Sequence, residues 1–548
     1  MTPGGDLNPS VELGAKSSSS EEFALASGAS GWIRFLLPSV TDLLFILLLF
    51  SLTIGALAPR LLGDAGTGWH IRNGDLILQT TTITRADPFS ATMNGERWYA
   101  WEWLFDVAVA RIHQCAGLNG VVFFAALIIA TAFAFTFVFS LRRGGSLPVT
   151  LVLLVLALGA SAIHLFARPH VFSWLLAVIW LQSLDSSECA DDPAKYRKLI
   201  WLPVLMLFWV NVHGGFLLGL VLCGIYLIAG SVRLWRAKDF VERQRIRGWI
   251  SRLSAFSAVS FFVGLINPFG YKLYTHVYQY LSDRFLMNHI DEFRSPDFHG
   301  LAQQCFAALL LIAIVTVAVA GRKLRTSDLF VLIFAVYSGL YASRNLPISS
   351  LLMTLILAPL LSQALTSEAE NGSMPSRTRR FLSTINAFSA RMARAESGLR
   401  GHLWPAMAVI AGLFLVTQPG KLGPNEIMHA QFDAKRFPVA AVNAIQQRGI
   451  QEPIFSEDYW GGYLIFRLYP QNRVFVDDRH DFYGDAFLKR YLKIIHVEPG
   501  WETALKEMNP NYVLLTKKST LTNILKEVPQ WKVVYEDETA TLFQNGNR

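Results

Sequence analysis

The feature that most constrains this chain is a series of apolar runs long enough to cross a bilayer. "TDLLFILLLFSLTIGALA" and "VVFFAALIIATAFAFTFVFS" each suffice, as helices, to span a hydrocarbon core of about 30 Å. Hydropathy places about 11 such spans, near 40–58, 118–140, 148–166, 170–185, 199–212, 215–232, 254–268, 302–320, 328–343, 346–363 and 404–418. Only 16% of the 548 residues are charged and 52% are hydrophobic, which excludes an ordinary soluble protein. The net charge of +8 does not point to nucleic acid, because the Lys and Arg sit in short loops between spans.

Those basic loops fall in phase. "LRRGG", "KYRK", "RLWRAKDFVERQRIRGWISR", "GRKLR" and "SRTRRFLSTINAFSARMARAESGLR" all lie on one side, which the positive-inside rule makes cytoplasmic. Residues 1–38 are polar and lack the pattern of a cleaved signal, so they read as a disordered cytoplasmic tail before a multi-pass domain, 39–418. The other side receives the long loop 59–117, the turns "FARPH", "NVHGG" and "SRN", and the loop 267–301. The segment 419–548 emerges there too. Its short β-rich runs ("PIFSE", "RVFVDD", "NYVLLTK", "WKVVYED", "TATLFQ") alternate with helical patterns, as in a small α/β domain. The expected fold is thus an α-helical polytopic membrane protein with a small α/β extracytoplasmic domain. Cys115, Cys189, Cys223 and Cys305 show neither metal nor disulfide spacing and read as small hydrophobes.

Ionisable residues crowd the non-cytoplasmic face, and such groups at membrane depth usually face a cavity or a partner. The first loop opens with "GDAGTGWHIRNGDLI", residues 63–77. Its Asp64 either caps a helix or acts as a general base or acceptor-orienting carboxylate. Glu102 in "WEWLF" either faces solvent or turns towards a site, and Asp87 in "RADPFSAT" marks a turn. His70, Arg72, Arg168, His170, Asn211, His213, Tyr271 and Arg344 are the candidates for holding substrate. Arg168 and Arg344 either snorkel to headgroups or bind a phosphate, whose geometry a guanidinium fork matches. His70, His170, His213 and Asp64 could together hold a divalent cation, although their spacing is not that of a metal motif; no other cofactor is expected. "VDDRHD", residues 476–481, sits after an expected strand, where open α/β sheets place ligand loops.

The run "DAGTGWHIRNGDLI…DPFS…EWL", followed by "RPH", "NVHGGF", "NPFGYKLY" and "YWGGYLIFRLYP…VDDR", resembles the GT-C superfamily of membrane glycosyltransferases. Protein mannosyltransferases, the lipid A aminoarabinose transferase and oligosaccharyltransferase catalytic subunits belong to it. The resemblance implies a polyprenyl-phosphate sugar donor, an acceptor that is a glycan, lipid or protein, and inverting transfer by direct displacement at the outer face of a bacterial inner membrane. The family's first-loop acid maps onto Asp64, as the implied base; Asp75, Asp87 or Glu102 would have to supply a second acid. A transporter or lipid flippase is the alternative reading, with broken helices at the midplane as its expected mark. A non-catalytic cell-envelope assembly protein is another.

Overall fold

The computed structural model of the chain describes residues 36–188, 193–320, 323–371, 375–399 and 402–546. The expected tail up to residue 35 and Cys189 lie outside these.

Every expected span falls on a helix. In chain order the principal helices are α1 (Val40–Thr53), α2 (Gly66–Thr80), α3 (Trp103–Arg142), α4 (Leu147–Ser161), α5 (His170–Glu188), α6 (Trp201–Val212), α7 (Leu217–Arg236) and α8 (Phe240–Val263). They continue with α9 (Tyr271–Ser282), α10 (Leu301–Ala320), α11 (Thr326–Tyr341), α12 (Leu346–Asn371), α13 (Ser376–Gly398) and α14 (Leu403–Thr417). Among the described residues five segments are long and apolar enough to cross a membrane alone: Trp103–Arg142, Leu147–His164, Gly214–Arg236, Leu301–Ala320 and Ser343–Ser367. Outward-facing Val155, Ile228, Phe262, Ile314 and Ile410 are exposed on separate helices. Such a surface has lipid as its solvent. The chain is a multi-pass helical membrane protein.

Local chemistry sets the helix ends. Ser39 accepts the Asp42 N–H at 3.0 Å while Asp42 accepts the Ser39 N–H at 2.8 Å, a reciprocal cap that starts α1. Asp239 caps α8 by accepting the Glu242 N–H at 2.9 Å. The long α3 is two helices joined at Gly117, whose φ of 59° a residue with a Cβ rarely adopts. Its first part is the aromatic interface helix expected from "WEWLF", and its second part is a span. Two stretches read as basic loops are helical instead: α8 begins in one and α13 is the other. Glu396 of α13 accepts the Val40 N–H at 2.9 Å, adding a second cap to α1.

The C-terminal segment contains helices α15 (Asp458–Leu468) and α16 (His480–Ile495) and a four-stranded sheet. Its strands are β1 (Ile454–Ser456), β2 (Tyr512–Thr516), β3 (Trp531–Glu536) and β4 (Ala540–Asn545). The spatial order is β1-β2-β4-β3, with β1 and β2 parallel and the other pairs antiparallel. The strand expected at "RVFVDD" reduces to single bridges from Val474 to Ser90 and to Ile454. The run was apolar because it is buried, and its backbone partner is the first loop, whose Ala91 donates its N–H to Val474 O at 2.8 Å.

The first loop and the C-terminal segment are packed backbone to backbone. A Cβ on Gly68 of α2 would stand 2.4 Å from the Gly462 carbonyl oxygen of α15, and one on Gly462 would stand 2.4 Å from Ala65 O. "GTGWH" and "WGGYL" therefore owe their glycines to a close helix crossing. The apolar core runs without a break from Leu48 and Phe133 in the spans to Trp460, Leu514 and Leu542. That continuity fixes the cavity between the two parts.

Candidate active site

Where the outer ends of α3, α5, α7 and α11 meet α9 and the 478–481 loop, the molecule encloses a cavity of about 420 Å³. Its walls are of two kinds. Asp64, Glu102, Arg168, His213, Arg344 and Asp478 make a polar end. Leu217, Leu218, Val221, Leu281, Phe334 and Ile348 make an apolar one. The apolar wall reaches the bilayer-facing surface, since Val221 is 42% and Tyr341 50% exposed.

Three side-chain groups build the polar end. In the first, Arg168 Nη1 donates to both Asp64 oxygens, at 3.0 and 3.1 Å, and to Asp478 Oδ2 at 3.0 Å. Asp64 Oδ1 also accepts the Gly66 N–H at 2.7 Å, so it starts α2 and faces the cavity at once. Gly66 is needed beside it, because a Cβ there would lie 2.5 Å from Asp478 Oδ2 and 2.6 Å from the Arg168 guanidinium carbon. Burial pushes the Asp478 carboxyl up to about 7, with Arg168 pulling it down and the Asp64 charge pushing it up.

The second group surrounds Glu102. Its Oε2 lies 3.7 Å from His70 Nε2 and its Oε1 3.6 Å from His213 Nε2. His70 is fully buried and meets Asp106 Oδ1 through Nδ1 at 2.5 Å, while Asn73 donates to Asp106 Oδ2 at 2.6 Å. Burial raises the Glu102 carboxyl to about 8, against the pull of Arg168 and Arg344, so it is neutral at pH 7. Burial lowers His70 well below the usual imidazole range, which keeps it uncharged there.

The third group is centred on Arg344, which meets Glu292 at 3.4 Å and Tyr280 Oη at 3.3 Å, with its guanidinium 4.5 Å from the centre of the Phe293 ring. Also on the cavity wall, Arg479 is held by Asp477 at 2.6 Å and Asp87 at 2.9 Å, its guanidinium 4.5 Å from the Trp98 ring centre.

The expected site residues divide accordingly. Asp64, Glu102, Arg168, His170, His213 and Arg344 line the cavity, and His70 stands one layer behind Glu102. The others have different employment. Asp87 is buried, caps its own turn through Ser90 Oγ at 2.6 Å and holds Arg479. Arg72 clamps α2 to α15, donating to the Phe466 carbonyl at 2.6 and 2.8 Å. Asn211 accepts the Trp103 indole N–H at 2.9 Å and donates to the Leu207 and Ile266 carbonyls at 2.8 and 3.0 Å. Tyr271 is 65% exposed and lies off the cavity. Among the described residues no three His, Cys, Asp or Glu side chains are grouped as metal ligands. Asp478, from the expected ligand loop "VDDRHD", lines the cavity too, as do Glu292 and Asp106, which were not among the expected site residues. Each was visible only as an acid on the outer face, and chain separation hid the partner that gives it meaning.

No protein-family profile matches the chain, and no curated protein matches it in sequence. Its fold does have counterparts among solved structures. The apo oligosaccharyltransferase of Archaeoglobus fulgidus superposes with a TM-score of 0.52 at 10% identity, covering 87% of this chain and 69% of that one. The Cupriavidus metallidurans protein ArnT bound to undecaprenyl phosphate aligns with a TM-score of 0.48 at 15% identity, over 94% of this chain and 98% of that one. Its apo form gives 0.46 at 13% identity over 96% and 98%. What the first comparison establishes at such low identity is architecture alone: the chain shares the fold of that oligosaccharyltransferase.

Proposed function

We propose that the chain is a membrane glycosyltransferase that moves a sugar from a polyprenyl-phosphate donor to an acceptor at this cavity. The observation that carries the reading is the two-sided cavity itself. A polyprenyl-phosphate sugar is apolar at one end and anionic and hydroxylated at the other. An apolar wall open to lipid through Val221 and Tyr341 fits the chain of such a molecule. The polar end, with Arg344, Arg168 and the carboxylates, fits the phosphate and sugar. Arg344 is the better phosphate ligand of the two cations, since Arg168 is already engaged by Asp64 and Asp478. Asp64 Oδ2 faces only Arg168, and a carboxylate oxygen has two lone pairs, so one remains for an acceptor hydroxyl or amine. Asp64 is thus the carboxylate that engages the acceptor in this reading, as its orienter or base.

The loops' charge pattern supports the cavity facing the periplasm of a bacterial inner membrane, with the N-terminus cytoplasmic and the segment after residue 418 periplasmic. The acceptor is a glycan, lipid or protein reaching the cavity from that side.

The test is transfer of labelled sugar from polyprenyl-phosphate donors by the purified protein in lipid nanodiscs. Wild type is expected to turn over with at least one donor, and Asp64→Asn to lose 10²-fold or more, in the range of about 10²–10⁴ for a missing acid–base group. A protein that binds the donor and moves it across a vesicle membrane without cleaving it would replace the transferase with a flippase.

A further inference from the structure

A buried histidine that only packs has both ring nitrogens bonded. His70 does not. Its Nδ1 is held by Asp106, but its Nε2 is buried with no hydrogen-bond partner among the described residues. That nitrogen points to Glu102 Oε2, 3.7 Å away, and Glu102 is on the cavity wall while His70 is not. The other face of Glu102 is equally defined. His213 Nδ1 accepts the Gly215 N–H at 3.0 Å and the Ser173 hydroxyl at 2.7 Å, and Ser173 in turn accepts the Trp209 indole N–H at 2.7 Å. The proton of His213 is therefore on Nε2, which faces Glu102 Oε1. With Asp106 ionised, His70 donates its Nδ1–H there and keeps its lone pair on Nε2, facing Glu102.

We propose that Glu102, His70 and Asp106 form a proton relay that takes up the acceptor's proton during transfer. This rests on the transferase reading above. As the acceptor oxygen bonds to the sugar C1, the C1–O bond to phosphate breaks and the phosphate leaves with the electron pair. The acceptor's proton passes to Glu102 Oε1, the Oε2 proton of Glu102 passes to His70 Nε2, and the Nδ1 proton of His70 passes to Asp106 Oδ1. Glu102 and His70 end neutral as they began. One negative charge has moved from Asp106 to the departing phosphate. Of these three, Glu102 touches the substrate, and His70 and Asp106 are positioning and relay residues; Asp64 orients the acceptor beside them.

Glu102 is faced by His70 of α2, Asp106 of its own helix, His213 of the α6–α7 turn, Arg168, Arg344 and Asp481 of α16. The experiment therefore reads Glu102 directly. The carboxylic C=O band of the purified protein in nanodiscs is followed by infrared spectroscopy against pH, and Glu102→Gln identifies the band by its loss. In wild type the band is expected to vanish with a midpoint near pH 8. In Asp106→Asn, which removes the inner charge and lets His70 donate from Nε2, the midpoint falls by a unit or more. Turnover falls 10²-fold or more with KM little changed. His70→Gln gives the same two changes and serves if Asp106→Asn does not fold. A midpoint unmoved in both variants overturns the relay whatever the turnover. A shifted midpoint with full turnover overturns it too, as a coupled trio that the reaction does not use. Wild-type protein that transfers no sugar overturns the transferase reading and the acceptor's role with it, and the infrared shift still tells separately whether the three groups share a proton.

Discussion

The same helices carry buried charges at both ends, and the two ends are built differently. At the end away from the cavity Arg143, just after α3, meets Asp328 at 2.6 Å and Asp185 at 3.5 Å, and Arg325 bonds Asp185 and Asp328. Arg233 of α7 meets Glu188 at 2.7 Å, and Ser327 donates to the same carboxylate at 2.6 Å. These contacts tie α3, α5, α7 and α11 together with short ion pairs. At the outer end Glu102 stands 3.6 and 3.7 Å from its two histidines, and His70 Nε2, Asp478 Oδ1 and Arg479 Nη1 are buried without partners among the described residues. A closed lattice has nothing left to give a ligand. An incomplete one around a cavity does, and buried polar groups left open mark places where chemistry outweighs stability.

The contrast is broken most directly by paired substitutions. Asp64→Asn at the outer end is expected to cut sugar transfer by about 10²–10⁴-fold while thermal unfolding in nanodiscs moves little. Asp328→Asn at the other end leaves Arg143 and Arg325 short of a counter-charge, and should cost about 3–5 kcal/mol of stability while turnover per folded molecule is kept. If Asp328→Asn abolishes turnover in a protein that melts normally, the division into a structural and a chemical end is wrong.

A smaller effect sharpens what holds the outer end in place. Gly462→Ala drives a methyl to within 2.4 Å of the Ala65 carbonyl oxygen, one residue after Asp64 in the chain. The expected cost is about 1–3 kcal/mol from overpacking. Transfer should fall as well, because α2 and the 478 loop separate and Arg168 can no longer hold Asp64 and Asp478 together. Retained transfer with the loss of stability would mean that the cavity does not depend on that helix crossing.

The sequence legible in this way has a clear boundary. Spans could be read because a bilayer imposes a length and a composition on each helix separately, without reference to any other. Arg168, His170, His213 and Arg344 could be placed on one face by counting spans, and all four line the cavity. What could not be read is which polar residues on that face look inward. Asp87, Arg72 and Asn211 have the same chemistry as the lining residues, but they spend it on a turn, a carbonyl and an indole. The second acid sought among Asp75, Asp87 and Glu102 gained a rival in Asp478, which reaches Arg168 only because two glycine pairs let the C-terminal segment press against the first loop. Backbone proximity of that kind leaves glycines in the sequence but no indication of what they touch.

The C-terminal segment offers the mildest test, through one ion pair beside the cavity. His480 Nε2 meets Asp458 Oδ2 at 2.7 Å. Burial opposes the charge on His480, yet the Asp458 carboxylate raises it to about 9. Burial likewise opposes ionisation of Asp458, and His480 holds it below the usual carboxylate range. A histidine with its pKa raised in the folded state stabilises fully below its unfolded value of about 6.5 and loses that contribution as pH rises through about 9. A carboxylate with its pKa depressed does the reverse, contributing above about 3.9 and losing its share as pH falls through the folded value. The pair thus stabilises most between those limits. The melting temperature of wild type minus that of His480→Gln should be positive at pH 6 and shrink steadily from pH 7 to pH 9.5. A difference that stays constant across that range would mean that His480 is neutral in the folded protein, and that the charge balance beside Asp478 differs from the one drawn here.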